Sequence, residues 1–275
     1  MSAETPAGLL PVAIEAAQRA GDVLKARFHS TRTIDFKGQG RHNIVTDADR
    51  ASEEVLLEAL CREFPSHGIV AEESGTLGAQ TGIRWYVDPL DGTTNYAHHV
   101  PHFSVSIAAA DDSGLLVAVV LDPLRNELFA AARGAGATLN GERMAVSATS
   151  ELDTSLLCTG FPYDLQQNPL APLGLFNRLV KRAQGIRRMG SAALDLAYVA
   201  CGRYDGYFEF GLKSWDTAAG ALLVTESGGV MTRIDGQPYQ VRYGDILCAT
   251  PAIATPLQAE CTAFLAEVGW KPKLG

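Results

Sequence analysis

The feature that most constrains this chain is a short strand that ends in acids. Ile83 to Val87 is apolar and aromatic, and it runs directly into Asp88-Pro89-Leu90-Asp91-Gly92-Thr93-Thr94-Asn95. An apolar run of this length closed by turn residues reads as a buried strand. Pro89 fixes its own φ and keeps Asp88 out of the helical region, so the turn is stiff. Such a turn can aim Asp88, Asp91 and the Leu90 carbonyl at one point. Three hard oxygen donors converging there suit Mg²⁺, whose shell is small and octahedral.

Helical and strand periods alternate along the rest of the chain. Leu9 to Phe28 has helical spacing, and Ile44 to Phe64 reads as a second helix with Thr46 and Asp49 spaced like a capping box. Gly68–Val70, Phe103–Ala109, Leu115–Leu121 and Glu127–Ala131 read as strands, and Gly134, Gly136 and Asn140-Gly141 as turns. After Ser150 come a strand at Ser155–Thr159, a helix at Leu173–Arg182 and helical or strand periods at Ser191–Ala200, Tyr204–Phe210, Asp216–Glu226 and Val230–Ile234. Ile246–Ala249 and Pro256–Val268 close the series. The expectation is an α/β (α+β) fold in two halves, 1–150 and 151–275, with the ligand cleft between them.

Composition narrows the class. A chain of 275 residues that is 47% hydrophobic can bury a large core, and no run in it is long enough to span a membrane. The start of the chain lacks a basic region followed by an apolar one, so a cytoplasmic protein without a membrane partner is expected. Cys61, Cys158, Cys201, Cys248 and Cys261 are scattered and never form a CxxC pair, which points to free thiols in a reducing compartment. A net charge of −8 argues against nucleic acid as a partner. It does not argue against a phosphate substrate, because bound cations reverse the local sign of an acidic cleft.

The whole string Trp85-Tyr86-Val87-Asp88-Pro89-Leu90-Asp91-Gly92-Thr93-Thr94-Asn95 resembles the signature of the inositol monophosphatase family, Mg²⁺-dependent and lithium-sensitive sugar phosphatases. The resemblance extends from about Pro11 to Ala266. It implies a layered α-β-α-β-α fold, commonly a homodimer, and two or three Mg²⁺ per site. By resemblance, Glu72, Asp88, the Leu90 carbonyl, Asp91 and Asp216 match metal-ligand positions. Asp49 matches the water-activating aspartate and Thr93 its hydroxyl partner, with Glu72 counted beside them as catalytic. Substrate contacts are implied at Gly92, Thr93, Thr94, Gly190, Ser191, Ala192, Glu209 and Asp216. Thr159 to Tyr163 resembles a family segment near the cleft, and the Gly-rich Lys37 to Arg41 a mobile loop. Taken without the resemblance, Asp49 and Asp216 can equally be read as helix-capping acids and Glu209 as an exposed strand-end acid.

The resemblance thus implies a phosphomonoesterase that uses a metal-activated water on a small phosphorylated polyol. Myo-inositol 1-phosphate leads, and fructose 1,6-bisphosphate and histidinol phosphate are alternatives on the same metal core. Lys213 and Ser214 stand where relatives often carry His and Pro, which leaves the alcohol open. A regulatory binding protein that keeps the fold is the alternative of another class. His98 and His102 have helical spacing for zinc, but Pro101 interrupts the face and no third ligand pattern accompanies them.

Overall fold

The period-two burial of the central strands decides the layering. A computed structural model describes residues 4–30, 34–36 and 44–271. The chain opens with helix α1 (Pro6–Arg27), strands β1 (Ile34–Phe36) and β2 (Ile44–Thr46), and helix α2 (Asp47–Glu63). Strands β3 (Gly68–Ala71), β4 (Gly75–Gly78) and β5 (Arg84–Asp91) lead into the short helix α3 (Thr93–Ala97). Strands β6 (Ser104–Asp111), β7 (Gly114–Asp122), β8 (Glu127–Ala132), β9 (Gly136–Leu139) and β10 (Glu142–Arg143) complete this part. Beyond Ser150 come β11 (Leu156–Thr159), α4 (Leu170–Leu179), β12 (Gly185–Arg187), α5 (Ala192–Ala200) and β13 (Gly206–Glu209). Helix α6 (Ser214–Glu226), β14 (Val230–Arg233), β15 (Ile246–Ala249) and helix α7 (Pro251–Glu267) end the series.

Strands β3 to β10 form one eight-stranded sheet in the order β10-β9-β8-β7-β6-β5-β3-β4. Strands β11 to β15 form a five-stranded sheet in the order β12-β11-β13-β15-β14, and β1 pairs with β2 alone. In the larger sheet Trp85, Val87, Val105, Ile107, Val117 and Val119 face α1 and α2. Their neighbours Tyr86, Ala108, Ala118 and Val120 face α5 and α6 on the other side. The smaller sheet alternates in the same way. Cys158, Tyr207, Ile246 and Cys248 turn toward α5 and α6, while Leu157, Phe208, Leu247 and Ala249 turn toward α4 and α7. The result is five layers, α-β-α-β-α, with α5 and α6 shared by both sheets. Alternating apolar positions on a pleated strand require a cover on each face, and the helices provide it.

Several elements differ from the sequence expectation. Ile44 to Thr46 is a strand paired with β1, so the second helix begins at Asp47. Three apolar or β-branched residues are too few to separate strand from helix by period. The segment read as turns around Gly134 to Gly141 carries β9 between its turns and β10 directly after Gly141, and Gly75 to Gly78 is a strand the pattern did not suggest. Helix α7 starts at Pro251, five residues early, because proline suits a first helical turn. All five cysteines are free. Among the described residues no helix is long and apolar enough to cross a membrane.

Candidate active site

The acids gather because two parallel strands end side by side. Strands β3 and β5 pair in parallel with Ala71 opposite Val87, which brings Glu72 and Asp88 together just past that pair. The pairing of β5 with β6 then shifts register between Asp88 and Asp91. At this irregularity the Leu90 amide donates to Asp88 Oδ1 (2.9 Å) and the Ser52 hydroxyl to the Pro89 carbonyl (2.8 Å). The stiff turn expected from Pro89 is thus pinned from two sides. Asp216 arrives from the first turn of α6, where its Oδ2 accepts from the Lys213 amide (2.6 Å).

Glu72, Asp88, the Leu90 backbone, Asp91 and Asp216 line one cleft of about 320 Å³. Burial, then the charges of Glu72, Asp91 and Asp216, holds the Asp88 carboxyl well above the ordinary range. Asp216 is raised by burial and by Asp91 and Glu72. Burial pushes Asp91 up to about 6, against hydrogen bonds from Ser191 and Ala193 that favour its ionised form. Carboxylates that raise one another in this way want a cation.

Asp49 lies behind this wall, fully buried in the first turn of α2. Its Oδ2 accepts from the Thr46 amide (2.8 Å) and hydroxyl (2.6 Å), which is the capping arrangement. Its Oδ1 meets the Thr93 hydroxyl at 3.1 Å, and that hydroxyl is also 3.1 Å from the Leu90 carbonyl. The capping contacts and the Thr93 contact thus use different oxygens of the one carboxylate. Burial pushes its pKa up to about 6, with the Thr46 contacts opposing.

The far wall comes from β11–β13 and the turn before α5. Gly190 (φ +88°) and Gly92 (φ +97°) are left-handed and face each other, and a Cβ on Gly92 would lie 3.2 Å from the Gly190 carbonyl. The Ser191 hydroxyl donates to Asp91 Oδ2 (2.6 Å) and so does the Ala193 amide (2.7 Å). Ser191 is expected against substrate from the sequence; in this geometry its hydroxyl holds Asp91. The start of α5 likewise points a donor at that carboxylate, where the helix dipole favours negative charge. Gly190, Ser191, Ala192, Gly92, Thr93, Thr94 and Glu209 all line the cleft.

Strands β11 and β13 run parallel with Thr159 opposite Phe208, so Gly160 and Glu209 meet just past that pair. A Cβ on Gly160 would collide with the Glu209 carboxylate, so only glycine leaves room for it. Tyr207 hydrogen-bonds Glu209, and burial pushes the Glu209 carboxyl up to about 7, with Tyr207 and Arg188 opposing. Arg188, which sequence reasoning does not single out, lines the cleft as a cation among the acids, together with Lys213. Its only sequence signal is its place two residues before the Gly190-Ser191 turn. His99 contacts the Phe28 carbonyl and His102 packs on Tyr198, so these two rings serve packing. Lys37 to Arg41 lie outside the described residues.

Among the described residues no three acidic, His or Cys side chains close into a preformed metal shell. The donors instead line an open cleft. That suits Mg²⁺, which takes one or two carboxylates and keeps several waters, better than a caged ion. All-oxygen donors, including a backbone carbonyl, also match a hard cation.

A layered α-β-α-β-α body with an oxygen-lined cleft at its strand ends defines a protein of the inositol-phosphatase type. Residues 6–267 match the Inositol monophosphatase family, and the chain belongs to it. It is similar to the inositol monophosphatase of Anabaena (Nostoc) sp. PCC 7120, with a TM-score of 0.86 and 44% identity over 96% of this chain and 98% of that one. It is also similar to SuhB of Mycobacterium tuberculosis, with a TM-score of 0.78 and 31% identity over 94% and 98% of the two chains. Nus factor SuhB of Escherichia coli (strain K12) is 42% identical over 260 residues, 94% of this chain and 97% of that protein.

Proposed function

We propose that this protein is a Mg²⁺-dependent phosphomonoesterase of small polyol phosphates, with myo-inositol 1-phosphate as the first candidate. The observation that carries the reading is the cleft itself: Glu72, Asp88, Leu90, Asp91 and Asp216 line one space, with Thr93 on its wall and Asp49 hydrogen-bonded behind it. Glu72, Asp88, Asp91, Asp216 and the Leu90 carbonyl would hold the metal. When bound, Mg²⁺ polarises the phosphate, lowers the pKa of water and stabilises the departing oxygen.

The chain's own residues do the rest. Thr93 and Asp49 orient the attacking water in line with the scissile bond. Asp49, buried behind the wall and raised to about 6, would take the water's proton through the Thr93 hydroxyl that links it to the cleft. Glu209 and the backbone near Ala192 bind the hydroxyls of the alcohol, since a carboxylate makes strong hydrogen bonds to them. The departing alkoxide takes its proton from water. Lithium inhibition, a homodimer and a cytoplasmic location belong to the same proposal by family.

A second reading has a specific observation behind it. Curated relatives above 40% identity carry the name Nus factor SuhB, which is not the name of a phosphatase. It supports the alternative of a binding protein, and it weakens the expectation that nucleic acid and its complexes are excluded as partners. Phosphate release from myo-inositol 1-phosphate, with Mg²⁺, with EDTA and in Asp91→Asn, tests the choice. Mg²⁺-dependent turnover lost in the variant is expected. No release from the wild type on this substrate, fructose 1,6-bisphosphate or histidinol phosphate would favour the binding reading.

A further inference from the structure

The cleft does not end at Glu209. A second compartment of about 690 Å³, roughly twice the first, opens beside it and shares Pro162, Tyr163, Phe210, Gly211 and Lys213 with it. None of the metal-ligand acids borders this space. The geometry points to a binding site for the distal part of the substrate's alcohol, which would be an alcohol carrying a flat apolar ring. This rests on the phosphatase reading and extends its substrate class beyond small polyols.

Four observations lead there. The acids fix the phosphate end of any ligand, so its alcohol must point toward Glu209 and Lys213, the side on which the second compartment opens. The walls there are mainly apolar, with Asp164, Gln167, Asn168, Lys213, Asp245 and Lys271 among them, and Leu170 is 63% and Tyr163 59% exposed and therefore available for contact. Behind them Trp270 packs edge-to-face on Phe210, with centroids 5.7 Å apart, which makes a firm aromatic back wall next to Glu209. Gly211, left-handed at φ +75°, forms the sill between the two spaces, with its amide tied to Asp245 Oδ1 (2.8 Å). A side chain on Gly211 would press on Pro162, 3.0 Å from its Cβ.

A cyclitol phosphate would occupy the first compartment and leave the second unused. Leu170, Pro162 and Trp270 offer apolar area to the face of a ring, while Gln167, Asn168 and Lys213 can meet polar atoms at its edge. The occupant is therefore the aromatic or heteroaromatic end of a phosphate monoester, reached past Gly211.

The test compares hydrolysis of 2-naphthylmethyl phosphate and glycerol 2-phosphate by the full-length Mg²⁺-loaded protein and by Leu170→Asp. Leu170 is exposed, so the fold tolerates the change, and a thermal melt verifies this. Burying a ring against Leu170 predicts that the ratio of kcat/KM for the naphthyl over the glycerol ester falls about tenfold in the variant, through KM. A ratio within about twofold of wild type would overturn the proposal, since a change that small is an ordinary surface effect. Binding of 2-naphthalenemethanol, followed by tryptophan fluorescence, separates this from a failure of the phosphatase reading. If neither ester is hydrolysed, saturable binding weakened in Leu170→Asp still supports the site. Absent binding, or binding equal in both proteins, sinks it.

Discussion

Replacing Asn95 with alanine would cut a clamp between the turn at Gly92–Asn95 and the turn at Met189–Ser191. The Asn95 amide donates to the His102 carbonyl and to the Met189 carbonyl, each at 2.8 Å, the second across 94 residues of sequence. One net hydrogen bond is worth about 1 kcal/mol, and a carbonyl left dry costs somewhat more, so the loss is about 2–3 kcal/mol. For a chain of this size each kcal/mol moves the midpoint by about 2–4 °C, giving a drop of roughly 4–12 °C in EDTA. The same turn carries Ser191 and Ala193 to Asp91. Calorimetric titration of Mn²⁺ should therefore show weaker binding as well, by severalfold. A thermal midpoint in EDTA within about 1 °C of wild type would refute the clamp, because the predicted shift is several times larger.

Glu209 gives a pH test. Its folded pKa, about 7, lies above the ordinary 4.5, so its contribution to stability is fully present below about pH 4.5 and is lost as pH rises through 7. In metal-free protein Glu209→Gln should then gain up to about 3 kcal/mol over wild type at pH 8 and little at pH 4.5, read from urea midpoints. An equal gain at both values would contradict the assigned cause. Gly160→Ala should displace the Glu209 carboxylate and raise KM for polyol phosphates more than it lowers kcat, whereas an unchanged KM would remove Glu209 from alcohol recognition.

The cleft was legible in sequence to the extent that it is local. The turn at Asp88–Asn95 carries its own stiffness, and the capping box at Thr46–Asp49 reflects three-residue spacing. Every residue expected at metal or substrate lines the cleft, and Asp49 stands one layer behind it. What the pattern did not disclose is long-range. Nothing near Ser191 says that its hydroxyl reaches an acid a hundred residues earlier, and nothing near Arg188 says that it shares a cleft with Asp88. The second compartment is assembled from four distant segments, around Pro162–Pro172, Phe210–Lys213, Gly244–Asp245 and Val268–Lys271. Short strands such as β2, β4 and β9 hid for another reason, since three or four residues carry too little period to separate strand from turn or helix.

The helical layer shared by the two sheets has an evolutionary consequence. Tyr86, Val120 and Phe129 of the first sheet are covered by the same α5 and α6 whose other side covers Tyr207 and Cys248 of the second. A piece ending near Ser150 would bare that apolar face, so neither half can be exchanged between relatives as a module. Those same helices carry Asp216 and the donors to Asp91, which ties the acids of the cleft to the most constrained part of the body. Variation in what such a protein accepts is thus channelled to the outer segments around Tyr163–Leu170 and Trp270, where side chains can change without unsettling either sheet.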